Sequence, residues 1–406
     1  MRYPTAGGRR PLPGALRLAA STLLAIVLAL YAGELILMPK HNTPRAAAEQ
    51  AGRHWDDRSI LQMVSALRSS GADAEPAPQG RLGTPISFPG GQEVVTLGGV
   101  SDATQVLCNE NGSYLVFSSD EHGFNNPRGL WSRPVETAVV GDSYVHGYCV
   151  PEGRGLVALL RQRQPATLNL GVAGDGPLSE LATIREYLPT VKPRTVLWVY
   201  FENDLDDLSI ERRSPILMRY LDDSSFSQRL VQRQPLIDSV LRADYAAPAD
   251  EGPRTAGIMS NRFAQKAEQV AKLTYVRGLL ASAGLKIGEP AGMWGDCCDL
   301  PLFERVISEA QRTVKQWGGQ LVFVFLPARE RFDHRPPVQI GRKELDARDS
   351  VLRIVRAHGI RVIDVAPAFA AAPDVTRLFY YPGSHYNEAG YRLAAGVIAD
   401  SLAARN

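Results

Sequence analysis

Five short runs of apolar, largely β-branched residues punctuate the C-terminal two-thirds of the chain: after Glu136, after Ala166, after Arg194, and over residues 320–327 and 361–365. Apolar runs of this length, bounded by turn formers, predict strands buried on both faces, as in a parallel sheet. Amphipathic stretches such as 391–402 alternate with them, so the expected fold class is α/β. A three-layer α/β/α sandwich around a central parallel sheet with right-handed crossovers is its natural form. Over about residues 206–300 the strand rhythm lapses into charge-rich sequence, with 226–241 and 263–285 reading as helical. This predicts a helical insertion, serving either as a lid or wall at the carboxyl edge of the sheet or as bulk packing.

The N-terminal third reads differently. Arg2, Arg9, Arg10 and Arg17 precede residues 18–38, whose one charge is Glu34. About 20 apolar residues span a bilayer as a helix, and the basic flank favours the cytoplasm. The pattern predicts a cytoplasmic end (1–17), a transmembrane anchor (18–38) and everything later outside. A cleaved signal peptide is the rival, but residues 31–34 offer no clean small-residue cleavage site. Residues 39–134 form a lead-in to a main domain at 135–406. Ile60, Met63, Val64 and Leu67 recur at helical spacing before Gly71, Pro76 to Pro89 punctuate a loop, 94–97 and 114–117 read as strands, and 118–127 is a polar turn. His122 and Asn125 in that turn are candidates to touch a substrate, against the plainer reading of an Asx-rich turn.

Charge and cysteine content narrow the chemistry. The 45 basic residues are offset by 43 acidic ones, and no basic block is interleaved with aromatics, which argues against nucleic-acid binding. No cysteine or histidine spacing resembles a zinc site, so neither metal nor other cofactor is expected. In an oxidising compartment Cys108 and Cys149 can pair with each other or with the Cys297-Cys298 doublet. Connectivity is not readable from sequence.

Four polar signals come after the predicted strands in order. In 139–147, VVGDSYVHG, Gly141 permits a tight turn and Ser143 stands at a helix N-terminus, where free N–H groups favour negative charge. In 167–177, TLNLGVAGDGP, Gly174 can present its backbone N–H. In 195–205 the apolar run ends at Asn203 and Asp204, and in 380–391 His385 lies in a Pro/Gly-containing loop before the last helix. Ligands of open α/β sheets bind at that carboxyl edge. His146 shares the helical face of Ser143 and reads as lining or packing rather than as a base.

Together these blocks resemble the SGNH/GDSL hydrolase superfamily, with its flavodoxin-like fold. The resemblance implies Ser143 as nucleophile, His385 as general base, and Gly174 and Asn203 as oxyanion donors beside the Ser143 N–H. Two positions depart from the pattern. Phe201 and Glu202 precede Asn203 where the family has Gly, which would narrow the site, and Pro382 occupies the place of the acid three residues before the histidine. The chain then runs a Ser143–His385 dyad, or the histidine is held by a backbone carbonyl or a remote acid such as Asp364 or Asp374. Residues 55–71 and 118–127 also resemble membrane-anchored SGNH proteins of bacterial exopolysaccharide clusters. These resemblances imply an extracytoplasmic, inner-membrane serine esterase removing acyl groups, acetyl foremost, from an acylated cell-envelope or exported carbohydrate. The alternatives are an O-acyltransferase, as in alginate acetylation, and a degenerate carbohydrate-binding or assembly protein.

Overall fold

A computed structural model describes residues 14–37, 44–80, 82–246, 297–333 and 342–404, with positions 270, 273, 276, 277, 280 and 340. The helix expected over 263–285 and the arginines at 2, 9 and 10 lie largely outside these residues. The chain forms two compact units, Met1–Lys40 with Thr255–Pro290, and His41–Arg254 with Ala291–Asn406. The first contains α1 (Gly14–Leu37). Among the described residues no helix is long and apolar enough to cross a membrane, so the expected span over 18–38 is not shown.

The second unit is built on a five-stranded parallel sheet of β6 (Thr137–Val140), β7 (Thr167–Asn169), β8 (Thr195–Phe201), β9 (Gln320–Leu326) and β10 (Arg361–Asp364), in the order β10-β9-β8-β6-β7. These are the five strands the apolar runs predict. Side chains alternate across the pleat. Ala138, Val140, Trp198, Tyr200, Phe323 and Phe325 face one core, with α6 (Pro177–Val191), α7 (Asp204–Glu211), α8 (Pro215–Asp222), α9 (Gln234–Ala246), α10 (Leu300–Lys315) and α11 (Arg342–Ala357). Val139, Leu197, Val199, Val322 and Val324 face the other, with α4 (Ser143–His146), α5 (Leu156–Arg161), α12 (Ala366–Ala370) and α13 (Glu388–Ala403). Helices on both faces of one sheet make the three-layer α/β/α arrangement. The described helices of the insertion, α8 and α9, bury Leu217, Tyr220, Ile237 and Leu241 in the first core, which matches the bulk-packing reading.

The lead-in contributes α2 (Pro44–Gln50), α3 (Ile60–Ser69), the three-stranded sheet β1-β4-β5 (Ala74–Pro76, Thr104–Val106, Val116–Ser118) and the hairpin of β2 (Ile86–Phe88) with β3 (Gln92–Val94). Ser59 and Gln62 close α3 with a reciprocal capping box. The expected strands at 94–97 and 114–117 are thus displaced by two residues or so, because β3 ends at Val94 where its hairpin pairing ends. The polar turn is held inside by Asp120, whose carboxylate accepts from His122 and Phe124 N–H, Asn126 and Trp131. Asn125 donates to the His146 carbonyl, and His122 packs on Trp131 and Tyr187. These two residues are engaged in structure.

Cys108 and Cys149 form a disulfide, 41 residues apart in sequence, that ties the lead-in to the segment after α4; Cys297 and Cys298 are joined to each other. Closing a loop of that length removes denatured-state entropy equivalent to about 4 kcal/mol. The double substitution Cys108→Ser with Cys149→Ser is expected to lower the unfolding free energy by about 3–4 kcal/mol in denaturant titrations, with reduced parent protein behaving alike.

Candidate active site

The order of the sheet gathers the predicted residues. β6 lies between β7 and β8, so the segments leaving these three adjacent strands bring Ser143, Gly174 and Asn203 to one edge. Gly141 makes the turn after β6 possible, since a Cβ there would lie 2.4 Å from Val145 Cγ2 and 2.9 Å from the Val199 carbonyl oxygen. Asp142 caps α4 by accepting from Tyr144 N–H at 3.0 Å, and Ser143 is the helix's first residue, where an N–H has no intrahelical acceptor.

His385 approaches from the loop before α13. Asn387 fixes that loop: its carboxamide oxygen accepts from Ala389 and Gly390 N–H while its NH2 donates to the Arg377 and Phe379 carbonyls. His385 Nε2 lies 2.8 Å from Ser143 Oγ. Its Nδ1 lies 3.1 Å from Glu110 Oε1, and its backbone N–H donates to Glu110 Oε2 at 3.0 Å. A carboxylate facing Nδ1 requires the proton there, leaving the Nε2 lone pair free to take the serine's hydrogen. The rings of Tyr148 and Tyr144 pack against the imidazole at 4.3 and 4.9 Å between centroids.

Glu110 therefore supplies the acid that Pro382 cannot, and the dyad is corrected to Ser143–His385–Glu110. The two remote acids expected from sequence are held elsewhere. Asp364 ends β10, three strand positions from β6 and so on the order of 14 Å away across the sheet, and it pairs with Arg348. Asp374 accepts from Thr376 N–H at the start of a short 3-10 helix. No local spacing marks Glu110. The one signal in the sequence was Cys108, which a disulfide to Cys149 carries to within reach of the α4 segment.

Gly174 follows Ala173, whose N–H donates to His146 Nδ1 at 3.1 Å. His146 is fully buried, and that burial pushes its pKa down to about 3, so with its Nδ1 already accepting from Ala173 it is too weak a base to rival His385. Asn203 Nδ2 donates to Asp207 at 2.8 Å, which leaves its second N–H for an oxyanion. Glu202 does not crowd the site as expected: it accepts from Ala328 N–H at 2.6 Å and pairs with Arg331. Phe201 stacks on Tyr144, 4.0 Å between centroids.

Behind these donors lie five buried carboxyls, Asp142, Asp175, Glu180, Asp204 and Glu211, with Asp207 half-buried beside them. Desolvation raises every one, Glu211 to about 7 although it accepts from Gly176, Leu178 and Ser179 N–H at the start of α6. Among the described residues one further group, Asp206, Cys297 and Glu344, brings metal-type ligand atoms within 4.8 Å of one another. Its sulfur is bonded to Cys298 and offers no thiolate.

The sequence profile of the family described as SGNH hydrolase-like domain, acetyltransferase AlgX, matches residues 301–406, which carry β9, β10 and His385. Residues 301–406 thus carry an SGNH hydrolase-like domain signature. The chain is similar to a solved lipase/acylhydrolase from Enterococcus faecalis, 15% identical with a TM-score of 0.37, covering 67% of this chain and 97% of that one. A G-D-S-L family lipolytic protein from Veillonella parvula is 14% identical with a TM-score of 0.36, covering 66% and 98%. The psychrotrophic esterase EstA from Pseudoalteromonas is 10% identical with a TM-score of 0.31, covering 66% and 98%. No curated protein sequence matches the chain.

Two outcomes are expected. Glu110→Gln removes the charge that stabilises the imidazolium and is expected to cut turnover of an acetyl ester by about 10³–10⁴-fold, while Asp364→Asn and Asp374→Asn stay near the parent in the same assay. The buried carboxyls set the pH dependence of stability. Their folded pKa values lie above the ordinary 3.8 and 4.5, reaching about 7 at Glu211, so the folded state holds protons the unfolded state has released. Their contribution is complete below about pH 4 and is lost as pH rises through 7. Denaturation midpoints measured from pH 5 to 9 are expected to fall, and a rising curve would contradict the assignment.

Proposed function

We propose that this chain is a serine enzyme of acyl-ester chemistry working through a Ser143 acyl-enzyme. The contact that carries the reading is His385 Nε2 at 2.8 Å from Ser143 Oγ, with Glu110 on the opposite ring nitrogen. In the first step Nε2 takes the serine proton as Oγ attacks the ester carbonyl, and Glu110 stabilises the imidazolium. The oxyanion falls to the Ser143 and Gly174 N–H groups and the Asn203 amide, each worth about 3 kcal/mol of barrier. Collapse breaks the ester C–O bond, and Nε2 returns the proton to the departing alcohol. In the second half Nε2 deprotonates the incoming hydroxyl, which releases the acyl group and regenerates Ser143.

The proposed substrate is an acetylated carbohydrate of the cell envelope or an exported polysaccharide, with water as acceptor. A second reading is favoured by the family's printed description as an acetyltransferase: a sugar hydroxyl takes the place of water. The assembled triad supports catalysis over a purely carbohydrate-binding role. For location we propose an extracytoplasmic domain held to the inner membrane by α1, whose Leu18, Leu23, Leu24, Ile26, Leu28 and Ile36 side chains are exposed. Full-length protein given p-nitrophenyl acetate is expected to release p-nitrophenol, with Ser143→Ala at the uncatalysed rate. Equal rates for the two would end the ester reading. Adding an oligosaccharide acceptor and following sugar acetate then separates transfer from hydrolysis.

A further inference from the structure

The proposed mechanism leaves His146 without a task, although an imidazole completely buried one turn from the nucleophile is an unusual packing residue. Its surroundings are specific. Phe117 meets its ring edge-on at 5.6 Å between centroids, and Nδ1 accepts the Ala173 N–H at 3.1 Å. An accepting Nδ1 puts the ring proton on Nε2. No nearby charge opposes the neutral form, since burial alone accounts for its low pKa.

Ala173 immediately precedes the oxyanion donor, and both of its backbone polar groups are engaged. Its N–H goes to His146, and its carbonyl accepts the N–H of Gly80 from the lead-in. The Ala173 carbonyl and the Gly174 N–H belong to one planar trans peptide and point in opposite directions. Holding the carbonyl on Gly80 therefore aims the Gly174 N–H away from Gly80. Contact there is so close that a Cβ on Gly80 would lie 2.3 Å from the Gly174 carbonyl carbon. The peptide on the other side of Ala173 is held from α4 itself, through a residue three positions after Ser143.

We infer that His146 is a positioning residue that ties the oxyanion-donor loop to the nucleophile's helix, so that Ser143 and the Gly174 N–H keep one fixed relation through the reaction. This rests on the ester chemistry proposed above. It is also independent of His385: the two histidines do opposite work, one exchanging a proton at Nε2 and the other never titrating in the working range.

The test uses the geometry of the acceptor. Asparagine Oδ1 and histidine Nδ1 are both two bonds beyond Cβ, whereas glutamine places its carbonyl one bond further out and leucine has no acceptor. On p-nitrophenyl acetate, His146→Asn is expected to retain kcat within about fivefold, while His146→Leu and His146→Gln lose about 10–100-fold in kcat with KM little changed, the cost of a displaced donor. Equal kcat for the Asn and Gln variants, or parent-like kcat in all three, would overturn the inference. Should the Leu variant fail to fold, the Asn and Gln pair still decides. Independently of activity, 15N spectra of histidine-labelled parent protein, assigned by the signal missing in His146→Gln, are expected to show this ring neutral and Nε2-protonated from pH 8 down to pH 4. A ring titrating near pH 6.5, or protonated at Nδ1, would equally sink it. Were Ser143→Ala as active as the parent, the ester reading would fall instead, and the spectra would still decide whether Nδ1 holds the Ala173 amide.

Discussion

One carboxylate holds the site together. Glu110 grips His385 at two points, ring Nδ1 and backbone N–H, and so fixes both the tautomer and the placement of a side chain that hangs from a loop. A histidine so placed has rotamers to lose, and catalysis needs one of them at hydrogen-bond distance from Ser143. The two-point contact, with the Tyr144 and Tyr148 rings against the imidazole, selects that one before substrate arrives. Because Glu110 comes from the lead-in, the triad exists only where the lead-in is docked. Two devices secure this docking beside the site: the Cys108–Cys149 disulfide, and Asn111, which donates to the Cys149 carbonyl and to Tyr380.

The same dependence runs through the proposed oxyanion donors. Gly80 N–H of the lead-in donates to the Ala173 carbonyl, so both halves of the proposed chemistry, proton transfer and charge stabilisation, draw on residues outside the five-stranded sheet. The sheet supplies the nucleophile, the histidine and the two donor positions. The segment preceding it supplies orientation. This division lets a carboxylate meet His385 although none stands beside it in sequence.

Most of the fold was legible because a central parallel strand is apolar on both faces, and a run such as 195–201 cannot be confused with an exposed element. The gathering of Ser143, Gly174, Asn203 and His385 was legible for a related reason: each ends or follows such a run, at the edge where ligands bind. Glu110 was not, since it stands in an irregular loop 275 positions from its partner and no periodicity reports a tertiary contact. Asp364 misled by satisfying the strand-end rule on the wrong strand. Strand order across the sheet decides whether a strand-end residue faces the nucleophile, and order is a tertiary property that apolar runs do not encode. His146 was read as lining or packing because sequence shows its helical face but not the amide its ring would meet.

The buried acids beside the donors pose an electrostatic problem that burial itself resolves. An ionised carboxylate on the order of 8 Å from a developing oxyanion would oppose it by about 2 kcal/mol at an effective dielectric of 20, close to the worth of one oxyanion donor. Several such charges would cancel the hole. Desolvation raises Asp175, Glu180, Asp204 and Asp207 well above the ordinary carboxyl range, and each additional acid raises its neighbours further, so the cluster suppresses its own ionisation. Glu110 lies in a separate loop, and its carboxylate faces the two N–H groups of His385 rather than another acid. The carboxyls thus differ by environment: those beside Gly174 and Asn203 are pushed toward the neutral form by burial and by one another, and Glu110 meets the N–H groups of His385.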